Sequence, residues 1–75
     1  MKEELLSYKG FLNKEFCFSN EFGKLIKFNK ARTDLVYDFE LQEKKNVNKK
    51  FLARYFITYN DGREIYILSD LNLEG

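Results

Sequence analysis

The alternation of hydrophobic and polar positions is clearest in the last third of the chain. Residues 51–59 read Phe-Leu-Ala-Arg-Tyr-Phe-Ile-Thr-Tyr, Asn60-Asp61-Gly62 interrupts them, and the run resumes as Arg-Glu-Ile-Tyr-Ile-Leu. An Asn-Asp-Gly break between two β-branched and aromatic runs predicts a β-hairpin over 51–69. A hairpin with one wet face alternates apolar with polar residues. Here Tyr55, Ile57 and Tyr59 point one way, while Leu52, Phe56 and Thr58 point the other. Two apolar faces imply cover on both sides, or one face kept for a partner. Three registers are open. A two-residue Asp61-Gly62 loop pairs Ile57 with Tyr66, and an Asn60-Asp61 loop pairs Tyr55 with Tyr66. A type I turn with Gly62 in the left-handed position pairs Ile57 with Ile65 and Tyr55 with Ile67. The last is favoured, because Gly best tolerates a positive φ. It assigns Ala53, Tyr55, Ile57, Ile65 and Ile67 to the core. Arg54, Phe56, Thr58, Glu64, Tyr66 and Leu68 then form a mixed outer face.

Elsewhere the pattern predicts shorter elements. Leu35, Tyr37, Phe39 and Leu41 share one face of residues 33–42, opposite Asp34, Val36, Asp38, Glu40 and Gln42. That period of two predicts a half-buried strand. Residues 14–19 and 24–29 read as two more strands, with Phe16 and Phe18, then Ile26 and Phe28, facing inward. Residues 2–12 place Leu5, Tyr8 and Leu12 on one helical face, behind Glu3 and Glu4, which suit a helix N-terminus. This predicts a short N-terminal helix. A rival reading has one turn ending at Gly10, with Phe11 opening a strand. Residues 43–50 form a polar loop, and 70–75 a short tail in which Leu71 and Leu73 pack. The expected fold is mainly β (small α+β), in one domain. It is a five-stranded antiparallel meander, curled towards a partly open barrel, with a short N-terminal helix; the hairpin's second face is either kept for a partner or covered by that helix.

Composition narrows the chemistry. The 75 residues include eight Phe and five Tyr, a dense aromatic complement for so short a chain. Most of these rings are expected in the core, since each buried aromatic removes about 150–250 Å² from water. Net charge is +1, which favours no class of partner. Cys17, the single cysteine, excludes an intramolecular disulfide and reads as a small buried hydrophobe. With no leader-like segment and no long apolar run, the chain reads as cytoplasmic, with no membrane partner. Abundant Lys, Asn, Ile, Phe and Tyr, without Pro, Trp or His, suggest an AT-rich genome.

The absence of histidine removes the usual general base, the commonest metal ligand and the Ser–His and Cys–His pairings. No Gly-rich phosphate loop is present, and no cofactor is implied. Asp34, Asp38 and Glu40 form an acidic row on the predicted 33–42 strand. That row is a solvated face, or a surface for a basic partner. Lys24, Lys27, Lys44, Lys45, Lys49 and Lys50, interleaved with Phe28, Tyr37 and Phe56, are the candidates for a single-stranded nucleic-acid platform. Within this region the segment Gly23-Lys24-Leu25-Ile26-Lys27-Phe28-Asn29 resembles the first strand of a cold-shock domain, a nucleic-acid-binding five-stranded barrel. The later aromatic segments of that family have no counterpart in this chain.

These features favour a non-catalytic module that binds another protein. Interfaces are enriched in Tyr, Phe and Arg at their centres. Arg54, Phe56, Tyr59, Arg63 and Tyr66, with Asp34, Asp38 and Glu40, are the candidate contacts. In size and composition the chain resembles small inhibitors encoded by phages and mobile elements, which block a host protein, anti-defence proteins included. The resemblance implies a host factor as partner. A symmetric homodimer and a single-stranded nucleic-acid-binding small β-barrel are the other options.

Overall fold

Residues 2–12 form a strand and not a helix, and much of the architecture follows from that. In the computed structural model, which describes residues 1–74, the chain forms strands β1 (Lys2–Leu12), β2 (Glu15–Ser19), β3 (Leu25–Phe28) and β4 (Lys30–Ala31). Helix α1 (Thr33–Asp38) follows, and then the long strands β5 (Lys50–Asn60) and β6 (Arg63–Leu73). All six strands belong to one sheet in the order β3-β2-β1-β5-β6-β4. The protein is thus mainly β, with one short helix. It departs from the expected five-stranded meander with an N-terminal helix.

β1 is central. Its first half, residues 2–7, pairs antiparallel with β5 on one side, and its second half, residues 7–12, pairs antiparallel with β2 on the other. This double ladder outweighs the weak helical spacing of Leu5, Tyr8 and Leu12. Leu6 and Tyr8 face inward and are almost fully buried. Gly10 is no helix stop. It lies at φ 126°, beside the register shift between Tyr8 and Gly10, and marks a bulge. Asn13 and Lys14, at φ 53° and 63°, turn β1 into β2. Two successive left-handed residues make a type I′ connection, whose twist matches that of the flanking strands.

The expected strand over 33–42 is helix α1 followed by turns. Its period of two coexists with a helical stripe, because Leu35, Val36 and Phe39 lie together on a helix surface. Leu35 is buried, whereas Tyr37, which the strand reading placed inward, is 76% exposed. The acidic row dissolves with the strand: Asp34 chelates Arg32, and Glu40 pairs with Lys45 at 3.3 Å. Residues 39–48 then close one end of the sheet. Leu41 is wholly buried, and its carbonyl accepts a hydrogen bond from the Tyr8 hydroxyl. Phe39 meets Phe51 edge-on at 5.3 Å.

The hairpin forms, with a different register. Ile57 pairs with Tyr66, Thr58 with Ile65, Tyr59 with Glu64 and Asn60 with Arg63. Asp61 and Gly62, at φ 53° and 74°, form a two-residue type I′ loop, so the expected type I turn with a bulge is replaced. Every face assignment on β6 inverts as a result. Tyr66 and Leu68 turn towards the core, and Ile65 and Ile67 turn outward, opposite Thr58 and Phe56. A second irregularity between Arg54 and Tyr55 lets β6 continue to Leu73. Leu71 is buried there and Leu73 is 53% exposed; Gly75, the last residue of the expected tail, lies outside the described residues.

The core is an aromatic column. Phe18 contacts Tyr8 at 5.0 Å, Phe28 at 5.4 Å and Phe51 at 6.4 Å, and Phe28 meets Tyr55 at 5.1 Å. Tilted and edge-on pairs of this kind add about 0.5–1.5 kcal/mol each beyond the burial of their area. Asn29 carries the chain from β3, at one edge of the sheet, to β4, at the other. Its amide donates to the Tyr66 carbonyl at 3.0 Å, and its side-chain oxygen accepts from the Tyr66 amide at 3.2 Å. β4 then runs parallel to β6. The sheet curls so that its edges meet at Asn29, but it does not close. From Asn29 back to Lys24, β3 diverges from β6 and leaves a cleft lined by Lys24, Ile26, Arg63 and Tyr66.

Candidate functional site

β1 meets β5 from Lys2 opposite Tyr55 to Ser7 opposite Lys50. Beyond Tyr55, β5 has no neighbour on that side. On the far side, β4 reaches β6 only at Ile67 and Leu68, and Asn29 only at Tyr66. Residues 56–65 therefore form a two-stranded arm whose outer edges are unpaired among the described residues. A two-stranded ribbon is only marginally stable by itself, and its unpaired edges are templates for pairing with another chain. On one face lie Phe56, Thr58, Ile65 and Ile67, and on the other Ile57, Tyr59, Glu64 and Tyr66. Phe56 is 40% exposed and Tyr59 70%. Together with Met1, Phe56, Tyr59 and Tyr66 line one cleft at the base of the arm.

The outer face continues down the sheet. Leu52 stands opposite Leu5, and Phe56 opposite Ile67; none of Leu5, Leu52, Ile65 or Ile67 belongs to the core. No helix covers this face, because the segment expected to supply one has become β1. Between the apolar residues runs a charged row. Arg54 is paired across the sheet with Glu3, Nε to Oε2 at 2.7 Å, and stands opposite Asp70 on β6. The hydrogen bond and charge of Glu3, with a smaller contribution from Asp70, hold the guanidinium pKa above its ordinary value.

Tyrosine hydroxyls fix the inner side. Tyr55 donates to Glu4 Oε1 at 2.8 Å. Burial first, and then that carboxylate, push its pKa up. Tyr66 is stacked on Tyr55 with ring centres 6.1 Å apart, and donates to Glu64 at 3.3 Å. Partial burial and Glu64 raise its pKa as well.

The sequence-predicted contacts are thus partly gathered and partly dispersed. Phe56, Tyr59 and Tyr66 converge on the arm. Arg54 lies lower on the outer face, engaged by Glu3. Arg63 is across the open seam, beside Lys24 and Lys27. Asp34, Asp38 and Glu40 belong to α1 and the turn after it, at the Phe51 end of β5 and away from the arm. The lysines make no single track. Lys27 and Lys44 line one cleft, and Lys27 also borders a second with Lys24. Lys45 is held by Glu40. Lys49 is exposed on the loop that bonds to β1, and Lys50 stands beside Leu5 and Ser7 on the outer face. Phe28 and Tyr37, the proposed stacking partners, are buried in the core and exposed on α1 respectively. Sequence reasoning missed Ile65, Ile67 and Met1 on the arm, and Lys9 beside the Lys27 cleft. For the two isoleucines, the pairing of a two-residue loop was the available signal.

Among the described residues, no group of three or more His, Cys, Asp or Glu is arranged to hold a metal ion. Likewise, no helix among them is long and apolar enough to cross a membrane. Comparison with known protein families, characterised protein sequences and solved structures gives no match for this chain.

Proposed function

We propose that this protein is a small non-catalytic binding module that recognises another protein through the 56–65 arm and the adjoining outer face of β1, β5 and β6. The observation that carries the reading is the arm itself. It projects past the end of β1 with aromatic side chains exposed and both edges free. Exposed apolar patches rimmed by polar groups mark interaction surfaces, and aromatic anchors supply most of the energy at such sites. Phe56 is the anchor of the outer face, where Ile65 and Ile67 provide the apolar floor and the Glu3–Arg54 pair a polar rim; Tyr59 is the anchor of the arm's opposite face. Free strand edges also allow a partner to extend the sheet through backbone hydrogen bonds. The likeness in size and composition to phage and mobile-element inhibitors fits this mode, because a blocking protein needs a surface and no chemistry.

The test is affinity capture from a bacterial host lysate with the wild-type chain and with Phe56→Ser and Tyr59→Ser variants. One specific protein should be retained by the wild type and lost by both variants, with circular dichroism unchanged. Capture that survives both substitutions, or recovery of nucleic acid alone, would overturn the reading.

A further inference from the structure

A second cleft lies over the β1–β2–β3 corner, and its chemistry differs from that of the arm, although Leu25 and Lys27 also border the seam lined by Arg63 and Glu64. It occupies about 760 Å³ between the β1–β2–β3 corner and the 42–48 loop. The bulge at Gly10 opens it. That glycine has no heavy atom within 4 Å of where a Cβ would stand, so the backbone itself forms part of the floor, beside Cys17. Apolar walls come from Phe11, Leu12 and Leu25, which are 36%, 66% and 49% exposed, and from Val47. Three cations stand around them: Lys9, Lys27 and Lys44. One carboxylate, Glu43, is present. None of the three lysines is in an ion pair among the described residues; Lys9 donates only to the neutral side chain of Asn48, at 3.0 Å.

We propose that this cleft binds an acidic peptide segment of a partner protein, seating large apolar side chains between Leu12 and Leu25 and carboxylates against Lys9, Lys27 and Lys44. Charge complementarity selects the occupant. Three ammonium groups outside any ion pair among the described residues, against the single carboxylate of Glu43 in the lining, leave an aliphatic trough with a net positive charge that matches a chain alternating apolar and acidic residues. A nucleic-acid strand fits less well. Base stacking needs a free aromatic face, and the ring in this cleft, Phe11, is packed against Phe16 at 4.8 Å. A second copy fits less well too, because the tip of its arm carries Arg63 between Asp61 and Glu64, a net charge of only −1 against three lysines.

Fluorescence anisotropy with a labelled peptide of alternating leucine and glutamate tests the proposal. The peptide should bind the full-length protein, and binding should weaken with added salt. Lys27→Glu and Leu25→Ser should each lower the affinity on the order of tenfold or more. Phe56→Ser on the arm should leave it unchanged, which separates this site from the protein-binding arm. Both substituted cleft side chains are exposed, and circular dichroism confirms that the variants fold. Several outcomes would overturn the assignment: no binding, equal binding of a leucine–lysine peptide, or unchanged affinity in both cleft variants. Displacement of the peptide by oligothymidylate or oleate would reassign the cleft to those ligands. Self-association in light scattering that Leu25→Ser abolishes would reassign it to a second copy.

Discussion

The two ends of strand β5 use the same kind of residue for opposite purposes. At the Phe51 end, Phe51 meets Phe18 and Phe39 edge-on, and the rings of Phe18 and Phe51 are fully buried. At the Asn60 end, Phe56 and Tyr59 stand on a ribbon beyond the last pair of the β1–β5 ladder, and they are 40% and 70% exposed. The composition of the strand does not separate the two ends. Neighbouring strands do: β1 reaches Tyr55 and no further. Aromatic content therefore says little about burial in a chain this small until the sheet order is known.

The largest test of this contrast is substitution of one ring at each end. Phe51→Ala should cost about 3–5 kcal/mol, because it removes a fully buried side chain and leaves a cavity. Phe56→Ser should change stability by less than about 1 kcal/mol while abolishing partner capture. Urea denaturation of both variants gives the comparison directly. A large loss of stability in Phe56→Ser would show that the arm is part of the core's support.

A smaller effect is expected at the lid. Tyr8→Phe leaves the Leu41 carbonyl without its donor and should cost about 1–3 kcal/mol. Burial first, and the neighbouring Cys17 second, push the Tyr8 pKa up to about 12 from an ordinary 10.0. The folded state thus holds this proton more tightly than the unfolded chain does. The associated stability is complete below pH 10 and is lost as pH rises towards 12. Tyr55 has a raised pKa for related reasons, so Tyr8→Phe should flatten the alkaline loss of stability without removing it. Melting temperatures measured across that pH range would show the change in slope. An unchanged slope would place the alkaline sensitivity at Tyr55.

The smallest effect concerns the two type I′ turns. The arm ends in Asp61-Gly62, but the β1–β2 turn uses Asn13-Lys14, with Lys14 at φ 63°. A non-glycine residue there costs about 1–2 kcal/mol against the left-handed conformation, which glycine adopts freely, although glycine loses more entropy on folding. Lys14→Gly should therefore raise stability by up to about 1 kcal/mol, measured by the urea midpoint. A lower midpoint would show that the lysine side chain contributes contacts beyond the turn.

Local patterns were legible where pairing was also local. β2, β3 and the existence of the hairpin followed from alternation and turn residues over a few positions. Residues 2–12 misled because the deciding interaction, the ladder with β5, lies about fifty residues away in sequence. Residues 33–42 satisfied two periods at once, and Tyr37, which is exposed, and Val36, which packs against the core, separate them. The hairpin register turned on whether Asp61 or only Gly62 would take a positive φ; both do, and Ile65 and Ile67 moved from the expected core to the outer face. At the candidate site, Phe56 and Tyr59 were readable as aromatic residues with no polar face opposite them. The second cleft was not readable, because Lys9, Lys27 and Lys44 come from three separate segments and meet only after the sheet curls.

The central position of β1 also sets an order of events. Its ladder with β2 closes after two residues, at Asn13 and Lys14, and the β5–β6 ladder closes after two more, at Asp61 and Gly62. The β1–β5 ladder joins segments from opposite ends of the chain. Loop-closure entropy makes such distant pairings the slow step of folding. Two hairpins should therefore form first and independently, and the aromatic column should assemble only when β1 and β5 zip together. Until that moment Phe18, Phe28 and Phe51 are as wet as Phe56, and the difference between core and contact surface does not yet exist.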